Sequence, residues 1–257
     1  MELLRYSYTI ESQFSAPIGY HAFKLRCIPS TVGFQRTVEQ HVTVSPECGI
    51  LYSTDRFGNI VLYGSINQPH SSFRVESHGL VEHQAYIIPD AVPDELFLYP
   101  SSLAAWNEEM KQWCSHLNAE DIMHTVHQHI KYERFVTDNT TTALEVFHER
   151  KGVCQDFAHL MVAACRASGM YARYVNGIMT GEGETHAWVE VHNGTSWIGY
   201  DPTLDRITDC NYLKFSHGRD VNDCPTNRGR FYQWTNETMS IHCEMFPYEA
   251  PSALHKE

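Results

Sequence analysis

At 257 residues the chain is long enough for one large domain or two modest ones, and its 42% hydrophobic content supplies cores that need no disulfide or metal staple. The 31 Asp and Glu against 19 Lys and Arg leave a formal net charge of -12. That balance excludes a surface built to track phosphates, which needs clustered cations, so nucleic acid is not an expected partner. No stretch of about 18 uncharged apolar residues occurs, and residues 1–11 lack a basic segment leading into an apolar one, so a soluble, unexported protein without a membrane partner is expected. Its eight cysteines are scattered without a CxxC pair, which argues against a disulfide lattice or a zinc ribbon and fits a reducing cytoplasm.

Residues 4–10, 20–28, 34–44, 59–66 and 72–82 are short runs rich in aromatic and β-branched residues, partly alternating, and read as antiparallel strands. Gly58 and Asn59 both tolerate positive φ and mark a hairpin connection. Pro89, Pro93 and Pro100 then punctuate a stretch without sustained period, which places a linker near residue 90. The expected division is an N-terminal β-domain over 1–90 and a second unit over 91–257.

Residues 101–117 carry Leu103, Trp106, Met110, Trp113 and Leu117 near helical spacing behind a serine cap, and residues 119–133 form a second helical stretch. A short helix over 140–149 is followed by a longer one over 153–168, closed by Gly169 in the left-handed region. The period then changes to two. Residues 171–179, 186–193 and 196–203 read as three strands, the last two joined by a tight turn at 193–196. From Asp205 onward the sequence is loop-rich, with one strand expected at 239–246.

In the longer helix Phe157, Leu160, Met161, Ala164 and Cys165 recur at three and four residues and form a buried stripe, which leaves Cys154 in the first turn after Gly152. A lone cysteine in an apolar helix is ordinarily core. At a helix N-terminus, however, the unpaired N–H groups and the positive dipole end favour a thiolate, and the thiolate is the nucleophile. His186 opens one strand and Asp201 ends its antiparallel neighbour, so the two meet at one edge, as an imidazole–carboxylate pair requires. Cys165 and the remaining cysteines read as packing.

Taken together, residues 152–177 (GVCQDFAHLMVAACRASGMYARYVNG), HAWVEV and YDPT resemble the transglutaminase-like core of the papain-like cysteine enzymes. The strands before it, including DRFGNIV, resemble the β-domain that precedes this core in many bacterial transglutaminase-like proteins. The resemblance implies an α+β fold, with Cys154 as nucleophile, His186 as base and Asp201 as the group that orients it. It implies acyl transfer on a peptide-like amide through a thioester, with a protein or peptide as substrate and no cofactor. Calcium-dependent animal members carry tryptophan after the cysteine, where this chain has Gln155, and no DxDxDG-type loop occurs, so hydrolysis is expected over cross-linking. Transamidation to an amine, and a silent core kept as a binding module, are the alternatives.

Gln155 and Trp188 are secondary candidates for substrate contact, with packing as the competing account of Trp188. Asp156 is a first-turn acid answering the helix dipole. His124, His127 and His129 cluster on one helix, but no carboxylate or cysteine at ligand spacing completes a set, and no metal is expected.

Overall fold

In the computed structural model, residues 2–249 are described. Chain order begins with β1 (Glu2–Ile18), β2 (His21–Leu25), β3 (Gln35–Ser45), β4 (Ile50–Thr54), β5 (Ile60–Ile66), β6 (His70–His83) and β7 (Ile87–Pro89). The middle of the chain holds α1 (Glu108–Trp113), α2 (Ala119–His129), β8 (Lys131–Tyr132), α3 (Ala143–Glu149), β9 (Lys151–Gly152) and α4 (Cys154–Ala167). It ends with β10 (Ala172–Met179), β11 (Gly181–Gly183), β12 (His186–His192), β13 (Ser196–Asp201), β14 (Arg206–Ile207), β15 (Tyr212–Gly218), β16 (Asn227–Phe231) and β17 (Glu237–Pro247). The fold is α+β, with antiparallel sheets at the N-terminal end and helices packed on an antiparallel sheet beyond them.

Strict alternation builds β1: Leu4, Tyr6, Tyr8, Ile10, Ser12 and Phe14 are buried on one face. It is the middle strand of the five-stranded sheet β11-β17-β1-β6-β3, while β16-β2-β5-β4 form a second sheet of four. Residues 227–247, expected to extend the second unit, therefore pair instead with N-terminal strands: β17 with β1, and β16 with β2. The reason is hydrophobic register, since Cys243 and Met245 of β17 sit opposite Tyr8 and Tyr6 and bury the same face. Nor is the proline-punctuated stretch a free tether, because β7 adds to β13 and Phe97 is buried.

At the loop between β4 and β5, Gly58 alone takes positive φ. Asn59 is fully buried and instead clips the two units together: its Nδ2 donates to the His217 carbonyl at 2.7 Å, and its Oδ1 accepts from the His217 N–H at 2.9 Å.

The second unit centres on α4, which lies between the other helices and the sheet β14-β13-β12-β10-β15. Every residue of α4 from Asp156 to Arg166 is buried, so the helix is covered all round rather than along the predicted stripe. Further upstream, α1 is shorter than expected and is capped by Asn107, whose Oδ1 accepts from Met110 N–H, rather than by a serine; Ser102 turns its hydroxyl to Asp220. A capping box between Thr142 and Glu145 opens α3. The strand β15 escapes sequence reading because it is buried along its entire length, lysine and histidine included, and so shows no alternation.

Candidate active site

Cys154 is the first residue of α4 and is partly exposed. The helix entry is held by Asp156, whose Oδ2 accepts from the Val153 N–H at 2.7 Å and from the Thr137 hydroxyl at 2.7 Å. Only glycine fits at 152, because a Cβ there would lie 2.5 Å from that same oxygen. Burial raises the Asp156 carboxyl above its ordinary value, and these two hydrogen bonds offset part of the rise.

His186 begins β12 and Asp201 ends β13, as the strand order predicts. His186 Nε2–H donates to Asp201 Oδ2 at 2.7 Å. The tautomer this selects leaves Nδ1 for the Cys154 side, and Cys154 is near enough to act on the protonation of the imidazole. Burial alone pushes the imidazole down, but the bond to Asp201, the neighbouring Cys154 and the charge of Asp201 outweigh it and raise His186 to about 10. Asp201 is fully buried; burial pushes it up, yet the bonds from His186 and Tyr212 and the His186 charge hold it below the usual carboxylate range. Its other oxygen accepts from the backbone N–H groups of Thr203 and Leu204 at 2.9 and 3.2 Å.

Tyr212 is a member of the site that the sequence did not announce. Its hydroxyl donates to Asp201 Oδ2 at 2.7 Å from β15, a strand hidden by its uniform burial. Trp188, proposed as a substrate contact, is fully buried and outside the cleft. Its ring lies behind His186, with centroids 6.3 Å apart at 24°, and its Nε1 donates to the Tyr86 hydroxyl at 2.8 Å. Tyr86 in turn donates to the fully buried Glu190, which Lys214 and Arg173 bracket at 2.7 and 2.5 Å. Behind the imidazole the protein is therefore a packed, hydrogen-bonded block, and packing accounts for Trp188.

A cleft of about 530 Å³ opens over Cys154 and His186 and is also lined by Gln155. One wall is the segment from Tyr132 to Thr137, held against the start of α4 by the parallel pair β8–β9. The opposite wall runs from Met179 to Thr185, and Cys243 of β17 also reaches the cleft. The N-terminal sheet thus contributes directly to the opening.

His124, His127 and His129 turn to separate partners, the Asp205 carboxylate and the carbonyls of Pro202 and Phe147, and share no centre. Glu182, His242 and Glu244 place one donor atom each within 4.8 Å of one another at the rim, a donor set of the kind a divalent cation accepts, on largely exposed side chains. Among the described residues no helix is long and apolar enough to cross a membrane.

Residues 105–202 match the transglutaminase-like superfamily, and residues 4–82 match the bacterial transglutaminase-like N-terminal region. An uncharacterized protein of Mycobacterium tuberculosis is 28% identical over 86% of this chain and 85% of its own length. A second, from Mycobacterium leprae, is 36% identical over 35% of each chain. Among solved structures, one described as a candidate cysteine protease from Cytophaga hutchinsonii superposes with a TM-score of 0.80, covering 97% of this chain and 92% of that one at 20% identity, a likeness of fold. The chain therefore carries a transglutaminase-like superfamily core preceded by a bacterial transglutaminase-like N-terminal region.

Proposed function

We propose that the protein is a thiol-dependent acyl-transfer enzyme acting on peptide-like amides, with water as the acceptor. The observation that supports this most is the His186–Asp201 contact at 2.7 Å beside a cysteine at the start of a buried helix, all opening on one cleft.

In the proposed reaction Cys154 Sγ attacks the carbonyl carbon, an S–C bond forms, and the carbonyl π electrons move onto oxygen. The proton held at His186 Nδ1 passes to the departing amine as the C–N bond breaks, leaving a thioester. Water then attacks the thioester while His186 takes its proton, and the C–S bond breaks to release the acid. Asp201 remains ionised throughout and keeps the ring in the tautomer and orientation that both steps need. The imidazolium beside Sγ and the N-terminal dipole of α4 both favour the thiolate that starts the cycle.

The test is incubation of the protein with a peptide library, with and without a primary amine such as cadaverine, read by mass spectrometry. New carboxyl termini that appear without amine and vanish in Cys154→Ser support the proposal. Amine adducts without hydrolysis would reassign the acceptor, and no Cys154-dependent product from any peptide would favour a silent binding module.

A further inference from the structure

Tyr174 and Asn176 stand two residues apart on β10 and therefore on one face, the face turned toward α4. The register places them opposite Val189 and Ala187 of β12, whose side chains pack in the same core as α4. Both residues line the cleft with Cys154 and His186, and both are more than nine-tenths buried, Tyr174 at 2% and Asn176 at 7% exposure. The Tyr174 ring also packs on His159 of α4, with centroids 5.0 Å apart, beneath the first turns of the helix. It is close enough to Cys154 and Asp156 for their charges to act on its hydroxyl.

These two side chains differ from the buried polar groups that hold His186 and Asp201 in place. Asp201, Tyr212, Glu190 and Lys214 are all hydrogen-bonded within the protein. Among the described residues no hydrogen bond joins the Tyr174 hydroxyl or the Asn176 carboxamide to another protein group, and both residues line the open cleft. Two hydrogen-bonding groups carried by a packed strand, open to one cleft and without a partner inside the protein, are placed to bond an incoming group. Burial raises the Tyr174 hydroxyl well above its ordinary value, which keeps it a proton donor. The backbone N–H of Cys154 lies ahead of the helical hydrogen bonds of α4, whose first donors to Val153 are Asp156 and Phe157, and so is also unused.

We infer that the Tyr174 hydroxyl and the Asn176 amide are the side-chain half of an oxyanion site, receiving the carbonyl oxygen of the acyl group while the Cys154 backbone N–H supplies the other half. In this arrangement the carbonyl carbon lies between Sγ and the donors, and the donors strengthen their bonds as charge develops on oxygen. The inference rests on the acyl-transfer reading, since a reaction without a tetrahedral intermediate has no oxyanion to stabilise.

Two small reagents separate the reactions without a known substrate. Iodoacetamide alkylates the thiolate by displacing iodide and forms no oxyanion. With p-nitrophenyl acetate, an S–C bond forms through a tetrahedral oxyanion, the C–O bond breaks, and p-nitrophenolate leaves with the bonding pair, so acylation is read at 400 nm, on the order of the wavelength at which that ion absorbs. Tyr174→Phe and Asn176→Ala are each expected to slow acylation of Cys154 by about 100- to 1,000-fold, the range for losing one oxyanion donor, with alkylation within about twofold of wild type. Acylation at the wild-type rate in both variants overturns the inference. So does a parallel fall in both rates, because the residues would then be supporting the thiol rather than the carbonyl. A wild-type protein in which neither reagent modifies Cys154 faster than a free thiol would instead overturn the acyl-transfer reading beneath it.

Discussion

Replacing Asp201 with asparagine tests the site where its electrostatics are most specific. Asp201→Asn preserves shape but removes the negative charge and the acceptor geometry that hold the His186 proton. Burial is the largest single influence on His186 and pushes the imidazole down; the Asp201 bond and charge are the main forces opposing it. Without them His186 is expected to titrate at or below its ordinary value of 6.5 instead of about 10. At pH 8 the imidazolium fraction then falls from nearly complete to about 3% or less, and the cation that faces Cys154 is lost. The assay is the pseudo-first-order rate of Cys154 alkylation from pH 5 to 10. The expected result is a loss of the wild-type reactivity at the acid end of the range, with alkylation in the variant rising only as an ordinary thiol ionises at about pH 8.5 and the far-ultraviolet spectrum unchanged. Alkylation at the wild-type rate across the range would refute the argument that Asp201 controls the imidazole.

Tyr212→Phe removes one of the bonds on the buried Asp201 carboxylate, a charge-assisted bond worth about 1.5–3 kcal/mol, and turnover should fall about 10-fold with the KM less affected. Gly152→Ala puts a Cβ 2.5 Å from Asp156 Oδ2; displacing that carboxylate should lower stability by about 1–3 kcal/mol in a urea titration. Lys214→Met leaves Glu190 with Arg173 as its one cationic partner beside the Tyr86 hydroxyl and should cost about 3 kcal/mol, measured the same way. Stability should also follow the triad's protons. His186 binds its proton more tightly folded than unfolded, so its contribution is full below about pH 6.5 and is lost as pH rises through about 10. Asp201, held low, contributes above its ordinary value of 3.8 and loses that contribution as pH falls below it. Wild-type melting temperatures should accordingly decline between pH 7 and 10, and Asp201→Asn should flatten that slope.

Much of this site was legible because its parts announce themselves locally. The Gly-Val-Cys start of an apolar helix, the histidine opening one strand and the aspartate closing the next require only period and turn chemistry to be placed. Tyr212 was not legible, since it reaches Asp201 from a strand whose lysine, serine and histidine are buried by long-range ion pairs and hydrogen bonds. Asn59 misled for a related reason: in isolation it is a turn former, whereas the assembled protein uses its amide to join two units. The return of β17 to β1 depends on a partner more than 200 residues away in sequence, which no local pattern encodes. Trp188 carried a true signal of importance near His186 but not its direction, which the Tyr86 hydroxyl decides from the segment between the units.

An activated nucleophile at Cys154 should outcompete the other cysteines of the same molecule for an alkylating reagent. Cys210 is exposed and Cys48 partly so, but burial, with Asp209 assisting at Cys210, raises the thiols of both above their ordinary value. Cys27, Cys114, Cys165, Cys224 and Cys243 are buried. The measurement is native iodoacetamide labelling at pH 6.5, with each site quantified by peptide mass spectrometry. Cys154 is expected to be modified first and fastest, ahead of the more accessible Cys210, and His186→Ala to abolish the lead. Labelling that follows exposure alone, with Cys210 first, would contradict it.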